Sequence, residues 1–350
     1  MSMRQAKTWV LDGQTGPERL KFEDVTIPEL GENDILVKMR ATSLNFRDLN
    51  IVKGSYRNAT KERLTPGSDG AGIVESVGPK VTAFTPGDKV VTYFVKGYSD
   101  TEPLTFAAIY KNGVGTSVDG SLREYGVFHE STLMHMPNQL SFLEASTLTC
   151  SGLTAWNALF GLAGLTPKPG DFVLVQGSGG VSIAALQFAV AAGASVIATT
   201  SSNEKAEKLK LLGASHVVNY KKIPDWGVAV KNLTPDQKGA HFVVDVGGVS
   251  TIGQSVKAIR PMGVLSITGV LGNNSDEQVP NIMDCLTYNC VARGVLVGTR
   301  EQFRAMTHFI EDKAIKPVID ERVFHLEELK EAFEYIGSQL HFSKVCIEIS

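Results

Sequence analysis

The rhythm of apolar and polar positions changes twice along the chain, and the changes divide it. Up to about Leu140 the runs are short and bounded by turns. Asp34 to Arg40, Gly72 to Val77 and Lys89 to Thr92 are alternating or apolar segments, separated by Pro66-Gly67, Gly78-Pro79 and Pro86-Gly87-Asp88. That texture predicts a compact β-barrel or sandwich. At Ser141-Phe-Leu-Glu144 a serine followed three places later by glutamate makes a capping-box pattern ahead of a helical stretch. From Asp171 to about Val297 strands and helices alternate. Val173 to Val175, Val196 to Thr200, His216 to Val218, Phe242 to Val246, Val264 to Thr268 and Val291 to Val295 are the candidate strands, the pattern of a doubly wound parallel sheet. Two amphipathic helices follow, Glu301 to Asp312 and Leu326 to Leu340. A last strand, Lys344 to Ile349, is placed to return to the first domain. The expected divisions are 1–145, 146–297 and 298–350.

The join between Val173 to Val175 and the apolar run Ile183 to Ala192 carries the strongest chemical signal. Gly177-Ser-Gly-Gly-Val-Ser182 lies between strand and helix, the context in which a glycine turn becomes a dinucleotide site. Gly177 supplies the tight turn, and Gly179 lets the backbone approach a pyrophosphate. The helix N-terminus beyond offers unpaired N–H groups to the anion. Ser182 stands where a third glycine is usual, so looser packing of helix on strand is expected there.

About 20 residues beyond the first glycine, an NAD site carries an acidic residue for the ribose 2′-hydroxyl. This chain has Thr200, Ser201 and Ser202 there, with Lys205 one helical turn on. Two hydroxyls and a cation suit a 2′-phosphate, so NADP(H) is the expected cofactor. Ser202 or Asn203 equally serves to cap the following helix, which is compatible with phosphate binding.

Composition narrows the class. The chain has 350 residues, 43% hydrophobic and 20% charged, with a formal net charge of -3, which gives no reason to expect nucleic acid or an anionic membrane as partner. No apolar run reaches the length of a membrane span, and Met1 to Leu11 is unlike a signal peptide. Cys150, Cys285, Cys290 and Cys346 are too scattered for a disulfide framework, so reduced thiols and a cytoplasmic location are expected. There is no Gly-x-Ser-x-Gly elbow, and no cation accompanies Cys150 in the sequence. A hydrolase is disfavoured.

Asn45-Phe-Arg-Asp48, Pro66-Gly-Ser-Asp-Gly-Ala-Gly72, Pro86-Gly-Asp-Lys-Val90, Gly177 to Ser182, Leu212 to Tyr220 and Asp245-Val-Gly-Gly248, in this order, resemble the medium-chain dehydrogenase/reductase superfamily. Similarity is greatest to its zinc-free quinone-oxidoreductase-like and zinc-type alcohol dehydrogenase-like branches. The resemblance implies an α/β protein with a GroES-like β-rich catalytic domain and a Rossmann cofactor domain. It also implies an active site in the cleft between them and assembly into dimers or tetramers through the cofactor domains, a homodimer being the expectation.

Zinc-dependent members place Cys, His-Glu and Cys or Asp at the catalytic metal. This chain has Asn45, Ser68-Asp69 and Cys150 at those positions, and Asp88 to Gly126 lacks the four cysteines of the structural zinc lobe. A thiol with an amide and a hydroxyl does not make a zinc site, so no metal is expected.

Without a Lewis acid, activated acceptors are favoured: a quinone or an enone, or as the alternative a simple carbonyl reduced or alcohol oxidised without metal. An NADPH-binding protein with little catalysis is the reading from a different class. The resemblance makes Asn45, Tyr56 and Thr154 the catalytic candidates. It assigns Gly177, Ser178, Gly179, Gly180 and Val181 to the pyrophosphate. Gly269 and Val270 border the nicotinamide, and Tyr220 and Lys344 lie at the adenosine or bridging phosphates. Asn45 equally reads as a loop anchor, Tyr56 as packing, Thr154 as helix back-bonding, and Tyr220 and Lys344 as solvated surface. Arg47 with Asp48 reads as an ordinary ion pair.

Overall fold

The computed structural model describes residues 4–13, 16–56, 61–269 and 279–350. Two compact units divide it, residues 1–151 with 299–350, and residues 152–298.

The first unit is built of β1 (Gln5–Asp12), β2 (Leu20–Thr26), β3 (Asp34–Ser43), β4 (Arg63–Leu64), β5 (Asp69–Val77), β6 (Lys89–Thr92), β7 (Tyr125–His129) and β8 (Leu133–His135), in chain order. It is completed by residues that follow the second unit in the sequence. Numbering β9 (Phe172–Gln176), β10 (Ser195–Thr200), β11 (Ala214–Asn219), β12 (Ala240–Asp245), β13 (Ile259–Ile267) and β14 (Val291–Gly294) in the second unit leaves β15 (Ile319–His325) and β16 (Lys344–Glu348) to the first.

β2-β1-β4 form one small sheet. The larger runs β15-β16-β3-β5-β6-β8, with β7 also on β3. β16 therefore lies inside the sheet, antiparallel to β3, with Cys346 opposite Ser43. Val345 and Ile347 are fully buried in the core with Leu49, Phe324 and Phe333. The close approach of β5 to β3 needs glycine: a Cβ on Gly72 would stand 2.4 Å from the Lys38 carbonyl oxygen.

In the second unit the order is β11-β10-β9-β12-β13-β14, all pairs parallel, the doubly wound order that places ligands outside the carboxyl ends of the central strands. Its central strands are apolar on both faces, with Val173, Leu174 and Val175 all fully buried, as a sheet covered by helices on both sides requires. Ser182 corrects the expectation of looser packing. It is 1% exposed and its hydroxyl donates to the Gln176 carbonyl at 2.5 Å, so the side chain ties helix to strand where a third glycine would only have made room.

Candidate active site

In the second unit, the chain leaves β9 through Gly177, whose φ of 72° is left-handed and suits glycine. Gly177 N–H bonds the Thr199 carbonyl at 2.9 Å, which holds the turn against the end of β10. A Cβ on Gly177 or Gly179 would meet nothing within 4 Å, so the turn borders open space. Gly179 is the N-cap of the helix Gly180–Ala191, which carries Val181 and presents its free N–H groups at this spot.

Beside the turn, Thr200 Oγ1 accepts from Ser202 N–H at 3.2 Å, and Ser202 Oγ accepts from Lys205 N–H at 3.3 Å as cap of the helix Asn203–Leu211. Tyr220 N–H bonds the Thr200 carbonyl at 3.0 Å. Ser201, Ser202, Lys205 and Tyr220 thus gather at the ends of β10 and β11, as two-strand neighbours of the glycine turn.

On the other side of β9, Asp245 is fully buried and accepts from Gln176 Nε2, Ser255 Oγ, Thr251 Oγ1 and Gly248 N–H. This network fixes the backbone around Gly247 and Gly248. Gly269 packs so that a Cβ would lie 2.3 Å from the Val246 carbonyl oxygen. Val270 lies outside the described residues. Thr154 is buried in the first turn of the helix Leu153–Phe160.

The first unit holds a buried polar cluster at one end of three neighbouring strands. Ser43 closes β3, Asp69 opens β5 opposite it, and Lys344 opens β16. Asn45 heads the helix Phe46–Val52, and its N–H is capped by Asp48 Oδ2 at 2.9 Å, leaving its amide turned inward. The Lys344 ammonium donates to Leu44 O at 2.8 Å, to Asn45 Oδ1, and to Asp69 Oδ2 at 3.4 Å. Ser151 Oγ donates a second bond to Asn45 Oδ1 at 3.2 Å. Asp69 also accepts from Ser68 Oγ at 2.7 Å and Ser43 Oγ at 3.2 Å. Asn45 Nδ2 has only Ser68 Oγ, at 3.4 Å, among the described residues.

Here the expectation for Lys344 needs correction. It is 4% exposed, and its three N–H donors already face Leu44, Asn45 and Asp69. Such an ammonium has no donor left for a cofactor phosphate, nor is it on a solvated face.

Two further groups complete the cluster. Arg47 and Asp48 do pair, at 3.3 Å, but enclosed rather than solvated: Asp48 is fully buried and the guanidinium lies 4.6 Å over Phe94 and 5.5 Å from the Tyr56 ring. Burial works against the Arg47 charge, and Asp48, Tyr56 and Cys150 outweigh it, leaving Arg47 above its usual value. Burial and the nearby Asp69 push the Cys150 thiol up to about 12, although Lys344 and Arg47 pull the other way. Among the described residues no group of three or more His, Cys, Asp or Glu is placed to hold a metal ion. No helix among them is long and apolar enough to cross a membrane.

Residues 31–138 match the family model of the alcohol dehydrogenase GroES-like domain, and residues 180–312 match that of zinc-binding dehydrogenases. The chain is 44% identical over 345 residues to a zinc-type alcohol dehydrogenase-like protein of Schizosaccharomyces pombe, covering 97% of this chain and 98% of that one. It is 29% identical over 327 residues to a mouse quinone oxidoreductase, covering 92% and 91%. A solved structure from Sinorhizobium meliloti 1021, provisionally named an alcohol dehydrogenase, superposes with a TM-score of 0.91 at 36% identity over the whole of both chains.

Proposed function

The chain belongs to the medium-chain dehydrogenase/reductase superfamily, and from that premise we propose that it is a zinc-independent, NADP(H)-linked reductase of enones or quinones. The observation that carries this reading is the Lys344 ammonium bonded among Asn45 and Asp69. A catalytic zinc takes three protein ligands from Cys, His and carboxylates. The groups on hand are an amide, a hydroxyl, one thiol and a carboxylate already facing a cation, which leaves fewer than three usable ligands. That set does not fit the metal. Charge stabilisation then falls to hydrogen-bond donors, which suffices for a conjugated acceptor better than for a simple alcohol.

Asn45 is the donor. Lys344 and Ser151 both donate to its Oδ1, which fixes the amide and polarises it, so that Nδ2 keeps one N–H beyond its long bond to Ser68 Oγ. As hydride reaches the β-carbon of an enone, negative charge grows on the carbonyl oxygen, where Asn45 Nδ2 can stabilise it. The Tyr56 phenol or water then returns a proton to the α-carbon.

NADP(H), when bound, supplies the hydride. Gly177, Ser178, Gly179, Gly180 and Val181 would hold its pyrophosphate, and Ser201, Ser202 and Lys205 its 2′-phosphate. Tyr220 would flank the adenosine, with Thr154 and Gly269 at the nicotinamide. The same reading takes the protein as a cytoplasmic homodimer, which light scattering checks for the assembly. Relatives named alcohol dehydrogenases support a second reading, an alcohol or aldehyde oxidoreductase, which this chain's residues would make metal-free.

Stopped-flow oxidation of NADPH by menadione, by an enone such as 3-penten-2-one and by hexanal separates the readings. Faster turnover of the first two, lost in Asn45→Ala with cofactor binding retained, is expected. Preference for hexanal, NADH binding as tight as NADPH, or stoichiometric zinc in the purified protein would overturn it.

A further inference from the structure

A second site lies in the first unit, on the face of β1 turned away from its core. Trp9 and Leu11 point into that core, whereas Thr8 and Val10 line a cavity of about 380 Å³, whose apolar lining also includes Val25 and Ile27. That volume lies in the range of about 300–1,000 Å³ typical of small-molecule pockets. None of its lining residues belongs to the cluster around Asn45.

The charges around this cavity do not cancel. Lys61, Arg63, Asp119 and Arg123 line it. Lys61 is paired with Asp119, whose other oxygen accepts from Thr65 N–H at 3.0 Å, and Arg63 is paired with Glu23. Arg123 is left over. It is 8% exposed, its Nη2 has one long bond to the Val127 carbonyl at 3.4 Å, and its Nε has no hydrogen-bond partner.

The guanidinium is nevertheless held in place. It lies 4.8 Å over the Phe128 ring, in space that Gly126 leaves open: a Cβ there would come within 2.7 Å of Arg123 Nε. Burial lowers its pKa to about 10, with only partial relief from Asp119. Burying a cation without a partner is costly, so a guanidinium at the wall of a cavity favours an anion inside it.

We propose that this cavity binds a small organic monoanion, its carboxylate on the Arg123 guanidinium and its aliphatic body against Val10, Val25 and Ile27. One charge is the match, because three lining cations are reduced to one by Asp119 and Glu23. The apolar wall selects an organic body over a bare inorganic ion.

Calorimetric titration of the full chain with hexanoate, 1-hexanol and inorganic phosphate tests this. Hexanoate should bind one per chain, about tenfold or more tighter than hexanol or phosphate, the scale of a charge-assisted hydrogen bond. Arg123→Met should erase that preference without slowing NADPH oxidation, and it removes an unpaired buried charge, so folding is retained. Asp119→Asn, which keeps the acceptor for Thr65, should tighten hexanoate by removing the competing carboxylate. Hexanol or phosphate binding as tightly as hexanoate would overturn the proposal. So would an unchanged preference in Arg123→Met, or unchanged affinity in Asp119→Asn.

Discussion

Replacing Lys344 by methionine takes away one charge of a pair in which the lysine is 4% exposed and Asp69 fully buried. The Nζ–Oδ2 separation is 3.4 Å. At an effective dielectric of about 20, unit charges at that distance attract by about 5 kcal/mol. Much of this only offsets the cost of bringing both ions out of water, but the variant loses the attraction and keeps the burial of Asp69. Removing one partner of a buried pair costs about 3–5 kcal/mol, and Lys344→Met is expected in that range. Two serine hydroxyls, from Ser43 and Ser68, remain on the carboxylate and hold the loss to the lower half. Asp69→Asn in the same chain leaves no stranded charge, so the double variant should recover about 2 kcal/mol or more. Urea denaturation followed by tryptophan fluorescence, on the wild type, both single variants and the double, closes the cycle. Loss below about 1 kcal/mol in Lys344→Met, or a double variant no more stable than Lys344→Met, would refute the charge argument.

The glycine turn gives a cleaner separation of stability from binding. Gly179 has φ -80° and ψ 170° at a helix N-cap with open space around it, so Gly179→Asp should keep the melting temperature, aspartate being a favoured N-cap, yet weaken NADPH at least tenfold by like-charge repulsion; an unchanged dissociation constant contradicts the pyrophosphate assignment. The Cys150 and Cys346 thiols, each pushed up to about 12 by burial, present about one thiolate in ten thousand at pH 8, and burial and the neighbouring Cys285 raise Cys290 as well, so iodoacetamide should label Cys285 first, as read by peptide mass spectrometry. His241 Nδ1 accepts from Phe172 N–H at 3.0 Å, and burial holds its pKa below the ordinary 6.5. The unfolded chain therefore takes a proton first as pH falls, and stability present above 6.5 should decline below it. His241→Gln should flatten that decline in thermal melts between pH 7 and 5.

What the chain discloses in advance follows from the range of the interactions concerned. The strands of the second unit announce themselves because a doubly covered parallel strand must be apolar on both faces, so Val173 to Val175 is legible as the centre of β9 without any knowledge of its neighbours. The glycine turn is legible because a left-handed φ and an open approach are local demands. Lys344 is not, since its partner Asn45 lies 299 positions away and meets it only through the register of β16 on β3. Cys150 reads as lacking a cation for the same reason, although Lys344 and Arg47 both act on it. Arg47 and Asp48 are adjacent in sequence, yet their burial depends on Phe94 and Tyr56, brought in from elsewhere. Ser182 illustrates the opposite error: a departure from the glycine pattern reads as a looser fit until its hydroxyl is seen on Gln176.

The interior position of β16 has a consequence for the order in which the protein can form. The second unit is a continuous stretch of chain, so it can fold as soon as it leaves the ribosome. The larger sheet of the first unit is missing an inner strand until residue 348 has been made, because β16 must slot between β15 and β3. β3, β5, β6, β7 and β8 spend the whole synthesis of the other unit with the Ala41–Ser43 end of β3 unpaired on the side that β7 leaves free, a template for wrong pairing with another chain. Demand for chaperones should therefore fall on the β-rich unit, and the polar cluster can assemble only as the last step of folding.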